Sequence, residues 1–149
     1  MTVYRITLAV HADKLVASGY PARWNSKDIK VIYTAQSRAL ACLENVVHRN
    51  SRGLQDNFRI LTINIPDQLK VMVIDRNTLV ADWQQFASLP YTQRIGDKWV
   101  KDGMPAVLQV PSVIIPGEFN YILNVAHKDF TKITLVGNEP FSFDGRIKG

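Results

Sequence analysis

At 149 residues, with 46% hydrophobic and 21% charged side chains, the chain has the size and composition of one folded domain, which excludes the disordered, collagenous and disulfide-rich classes. A chain of this length buries roughly 70% of the surface its unfolded form exposes, enough for a substantial core. The formal charge is +5, and the excess lies in the first third: residues 1–53 hold eight Lys/Arg against three acids, residues 54–149 ten of each.

A local positive field of this kind suits an anionic ligand and is too small and interspersed to demand nucleic acid. No apolar run approaches the ~18 residues of a membrane span. Arg5, His11, Asp13 and Lys14 interrupt any signal-peptide core. Cys42 stands alone, so an internal disulfide is impossible and a reducing cytoplasm is the expected setting.

Val3 to Val10 reads as an opening strand with Tyr4, Ile6, Leu8 and Val10 on one face, and a brief helical turn is expected over Ala12 to Ala17. Gly19 and Pro21 mark a loop leading to Arg23, Trp24 and Asn25. Ile29 to Tyr33 is a short β-branched strand, and Thr34 is the expected N-cap of a helix to about His48. On a helical wheel Ala39, Leu43, Val46 and Val47 form an apolar stripe, with Leu40 and Cys42 on its shoulders. Ser37, Glu44 and His48 share one flank, which puts Glu44 at the rim of the stripe: a cleft carboxylate or a solvated helix glutamate.

Phe58 to Ile65 and Gln68 to Ile74, separated at Pro66-Asp67, are expected to pair as antiparallel strands. Arg76 to Pro90 reads as a connection, with Trp83 and Phe86 packing down on the core. A helix is expected over Thr92 to Lys101, ending before Gly103, and a strand over Ala106 to Ile115 that bends at Pro111. Phe119 to Leu123, Ile133 to Val136 and Pro140 to Phe143 complete the strands. The sum is a single α+β domain with mixed or antiparallel sheets and few helices.

Few chemistries fit the remaining polar residues. Ser112 lies in Val-Pro-Ser-Val rather than a nucleophile elbow, and a strand-bend serine bonded to its own backbone is the simpler reading. His11, His48 and His127 lack metal-ligand spacing with one another, so no metal is expected. There is no Walker loop and no G-x-G-x-x-G. The three tryptophans suit the core, although Trp24 beside Arg23 also suits a stacking platform. Asn120, Asn124 and His127 follow a Pro-Gly turn, where such groups tie down irregular backbone first and touch substrate second.

Taken in order, Arg23-Trp24-Asn25, Tyr33-Thr34-Ala35, Ser37 to Ala41 with Glu44, Val110-Pro111-Ser112, and Pro116 to Asn124 with His127 resemble the RES domain family. The resemblance runs from Tyr4-Arg5 to Asp144, with two departures: Pro21-Ala22 where the family commonly has Gly-Gly, and Val125 where it commonly has proline. It implies a fold like that of the ADP-ribosyltransferases and a toxin of a type II toxin–antitoxin pair. The toxin would cleave the nicotinamide–ribose bond of NAD, as a glycohydrolase or phosphorylase. Transfer of ADP-ribose to a particular protein or nucleotide is the alternative, and a nucleotide- or nucleic-acid-binding module without turnover ranks below both.

The resemblance assigns Glu44, Arg23, Tyr33 and Ser112 to catalysis. Arg23, Trp24, Asn25, Tyr33, Ser112 and Asn120 are expected to bind NAD, which is substrate rather than resident cofactor. The implied partner is an Xre-type helix-turn-helix antitoxin, with DNA reached only through it. A homo-oligomer using Ile114–Ile115 or Phe141–Phe143 is a further expectation, set against plain core packing of those residues.

Overall fold

The β-branched and aromatic runs form one seven-stranded sheet in the computed structural model, which describes residues 1–148. The strands are β1 (Thr2–Leu8), β2 (Val31–Ala35), β3 (Phe58–Asn64), β4 (Val71–Val73), β5 (Val107–Pro111), β6 (Phe119–Asn124) and β7 (Thr134–Phe141). Their order is β4-β5-β6-β2-β1-β3-β7, antiparallel throughout except for β4 beside β5. Two helices, α1 (Arg38–His48) and α2 (Leu89–Lys101), complete the expected α+β architecture. None is long and apolar enough to cross a membrane.

Side-chain alternation along the strands sorts the core into two faces. Val3, Ile32, Leu61, Val107 and Leu123 pack together on one face. On the other, α2 lays Trp99 over Leu108 and Ile122, and α1 lays Leu40 and Ala41 over Ile6, Ala35 and Ile60. Phe141, Phe143 and Ile115, each partly buried, pack against the α1 cluster.

Several local expectations are corrected. Phe58–Ile65 and Gln68–Ile74 are not partners: β3 lies between β1 and β7, while β4 pairs with β5 at the far end of the sheet. β3 carries buried residues on both faces and pairs along its whole length with β1 and β7, so long-range register rather than the Pro66-Asp67 turn decides its partners. Parallel strands need a crossover, and α2 is that crossover between β4 and β5. Ile133–Val136 and Pro140–Phe143 belong to the single strand β7, whose pairing with β3 slips by one residue between Thr62 and Ile63.

At the N-terminus a 3-10 turn at Ala9–His11 replaces the turn expected over Ala12–Ala17, and Val10 is exposed because β1 has already ended at Leu8. Trp83 is buried as expected, but Phe86 is 84% exposed. Thr34 caps nothing. The β2–β6 ladder continues through Ala35 and keeps Thr34 extended, with its hydroxyl donating to Tyr121 O at 2.7 Å. Ser37 is the N-cap, accepting from Leu40 N–H at 3.1 Å. Ser37→Ala is expected to cost about 1 kcal/mol, read as a lower midpoint in urea unfolding with unchanged slope.

The buried face of α1 is also rotated from the wheel. Leu40 and Ala41 are buried, whereas Ala39 and Val47 face solvent. The helix turns its Glu44–His48 flank toward the sheet, where that polar flank lines a cleft. Hydrophobic periodicity cannot register a polar face that is turned inward.

Candidate active site

β1 and β2 are joined by one residue pair, Tyr4 with Ala35, whereas β1 and β3 share seven. Away from that pair the two strands part. The parting opens a cleft of about 370 Å³ beneath α1, a size within the range of small-molecule sites. Tyr4 to Thr7 form one wall, Tyr33 to Ala35 another, and Glu44, Asn45 and His48 of α1 the third.

Glu44 projects into this cleft from the middle of α1, and one carboxylate oxygen accepts from Asn120 Nδ2 at 2.6 Å. Asn120, on β6 and 8% exposed, gives its other amide proton to Thr34 O at 3.1 Å. Both donors of the amide are therefore fixed, and its orientation with them. Among the described residues nothing hydrogen-bonds the second oxygen of Glu44. Burial pushes the Glu44 carboxyl above its ordinary range, and the Asn120 hydrogen bond partly offsets this by favouring the ionised form.

Tyr33 lines the cleft, but its hydroxyl is committed. It accepts from Trp24 N–H at 3.0 Å and donates to Asn25 Oδ1 at 2.6 Å. Burial, ahead of any charge, raises the phenol well above its usual range, so it is neutral across the physiological span. Asn25, 1% exposed, donates to the carbonyls of Tyr20, Ser26 and Ile29 and knits the loop together. Trp24 is core, its ring centroid 5.9 Å from that of Trp83.

Arg23 lies outside the cleft lining. Its Nη1 donates to the carbonyls of Trp83 and Gln85, both at 3.2 Å, and fastens the loop to the 80s segment. Burial lowers its pKa, offset in part by Tyr33. Ser112, 2% exposed, also lies outside the lining and accepts from the N–H groups of Ile114 and Ile115 at 3.1 and 3.0 Å. The structure thus brings Glu44, Tyr33 and Asn120 together, and sets Trp24 and Asn25 behind Tyr33 as its support.

Sequence reasoning missed Arg5. It sits on β1 in the parting of the strands, with Nη1 donating to Tyr33 O at 2.9 Å, where a ladder bond between β1 and β2 would otherwise lie. The available signal was a single cation in an otherwise apolar strand, sharing the inward face of Val3 and Thr7. Asn45 and Arg49 were missed as well; both follow Glu44 on α1 or at its end.

A family model described as the RES domain matches residues 2–144. The chain belongs to the RES domain family. Among similar proteins, the Prs ADP-ribosylating toxin of Sphingobium sp. strain YBL2 is 38% identical over 141 residues, spanning 91% of this chain and 88% of that one. Toxin Res of Photorhabdus laumondii is 34% identical over 152 residues, covering 99% and 97%. Toxin Res of Yersinia enterocolitica is 34% identical over 153 residues, covering 99% and 100%. In the crystal structure of the M. tuberculosis MbcT–MbcA toxin–antitoxin complex, one chain superposes with a TM-score of 0.79 at 22% identity, covering 95% of this chain and 84% of that one. That match shows a shared fold over essentially the whole of this chain.

Proposed function

We propose that this RES domain is a toxin that consumes NAD by breaking its nicotinamide–ribose bond in the cleft beneath α1. The observation that carries the reading is the Glu44 carboxylate, clamped by Asn120 through one oxygen and open to the cleft through the other. As the C–N bond breaks, its electron pair leaves with nicotinamide, which departs neutral and needs no strong acid. Positive charge develops on the ribose, and a fixed carboxylate in a partly desolvated site stabilises it. An acceptor oxygen then bonds to the same carbon and releases its proton, which the open oxygen of Glu44 is placed to take. Tyr33 lines the same cleft, and its neutral hydroxyl keeps the Trp24–Asn25 turn in place.

Two readings of the acceptor are separated by experiment. Water or phosphate makes the protein a glycohydrolase or phosphorylase; a protein side chain makes it an ADP-ribosyltransferase, which the name of the Sphingobium relative favours. Mass spectrometry of NAD incubated with the protein, with and without phosphate and with lysate, distinguishes ADP-ribose, its 1″-phosphate and modified protein. NAD left intact under every condition sinks both. A separate helix-turn-helix antitoxin of Xre type is the proposed partner, supported by the toxin–antitoxin complex of the structural neighbour. Growth arrest on expression, relieved by that partner, is the cellular test.

Asn120→Ala offers a pH test of the clamp. Its amide hydrogen bond holds the Glu44 pKa down against burial, so its loss raises that pKa further. The acidic limb of the rate profile is expected to move to higher pH. A variant that is merely less stable would lower the rate without moving the limb.

A further inference from the structure

The loop that holds the Tyr33 hydroxyl is itself held by α2. Gln93, Gly96 and Asp97 share one face of that helix, at the i, i+3 and i+4 positions. They meet the loop at alternate residues: Gln93 Nε2 donates to Ala22 O at 2.9 Å, Gly96 abuts Trp24 O, and Asp97 takes Ser26.

Asp97 is the deciding residue. One carboxylate oxygen accepts from Ser26 N–H at 3.0 Å and the other from the Ser26 hydroxyl. Both bonds are charge-assisted, and such bonds are roughly twice as strong as neutral ones. Asp97 has no ion pair among the described residues, and it lies in the C-terminal half of α2, where the helix dipole does not favour a carboxylate. Its charge therefore serves the loop.

That grip reaches the cleft by one route. Among the described residues, the hydrogen bonds from the Tyr20–Asn25 loop to the cleft lining all end on the Tyr33 hydroxyl, which accepts from Trp24 N–H and donates to Asn25 Oδ1. Tyr33 is thus fixed by the loop, and the loop by α2. The two ends of this chain of contacts also lie close in space: burial is the main reason the Tyr33 phenol is raised, and the Asp97 charge adds to the rise.

We propose that Asp97 is a positioning residue: through Ser26 and the Trp24–Asn25 turn it fixes where Tyr33 stands in the Glu44 cleft. The reaction it serves rests on the NAD reading above; the clamp itself does not.

The test uses the full chain with fluorotyrosine in place of tyrosine, its Tyr33 fluorine signal identified by comparison with Tyr33→Phe. Asp97→Ala removes both acceptors, Asp97→Asn keeps one, and Ser26→Ala removes one donor. The Tyr33 signal is expected to move in Asp97→Ala, to move less in Ser26→Ala, and to stay near its place in Asp97→Asn. Well below each variant's Tm, kcat for nicotinamide release is expected to fall about tenfold for Asp97→Ala and about twofold for Asp97→Asn, with KM little changed. Ser26→Ala carries the test if Asp97→Ala does not fold. An unmoved Tyr33 signal in the alanine variants overturns the proposal, and so does a moved signal with unchanged kcat. A lower Tm with signal and kcat both unchanged makes Asp97 a stability residue, which overturns it as well. If the unaltered chain releases no nicotinamide, the NAD reading fails and the fluorine signal alone decides the clamp.

Discussion

Glu44→Gln is expected to lower the rate of nicotinamide release from NAD by about 10²- to 10³-fold or more, the usual loss when one group aimed at developing charge is removed. Glutamine keeps the shape and the oxygen that accepts from Asn120, so the clamp is retained and only the negative charge goes. The same substitution is expected to leave stability at neutral pH equal or slightly higher. Glu44's folded-state pKa is raised above its unfolded value, so the native state holds its proton more tightly than the unfolded chain does. Stability from this group therefore falls as pH rises through that window, and the ionised carboxylate is a net cost above it. Glutamine lacks that cost. Loss of rate with a level or raised Tm separates a working carboxylate from a structural one, and a parallel loss of both would contradict the assignment.

Gly96→Ala is expected to destabilise the fold by about 2–3 kcal/mol, a Tm lower by roughly 5–10 °C in a chain of this size. A Cβ at Gly96 would lie 1.6 Å from Trp24 O and 2.7 Å from Trp24 C, both backbone atoms that no rotamer change can move aside. The gain in helix propensity, about 1 kcal/mol, is smaller than the cost of pushing α2 off the loop. That loop presents Trp24 N–H to the Tyr33 hydroxyl, so activity is expected to fall with stability. Differential scanning calorimetry reads the first effect, and an unchanged Tm would show that α2 and the Trp24 turn do not meet so closely.

These two positions mark what could and could not be read from the residues. The RES family, the α+β class and the place of Glu44 within a helix were legible, because motif order and helix signals are carried locally by sequence. Gly96 gave no warning, since its close approach to Trp24 joins residues far apart in the chain. Arg5 was hidden for a related reason: it became a cleft residue only because β1 and β2 part beyond a single pair. The pairing of β3 with β7 and of β4 with β5 is decided by long-range register, and a proline between two alternating runs suggests a hairpin whether or not one forms. Ser112 shows the limit of motif reading from the other side. Its hydroxyl is occupied by Ile114 and Ile115 N–H in this conformation, a backbone duty that its neighbours in sequence already suggested.

The most direct test of the account is nicotinamide release by the purified, unaltered protein, followed over time with NAD in water, in phosphate and in lysate. The account expects free nicotinamide under at least one of these conditions, in step with NAD loss. No release under any of them would contradict it.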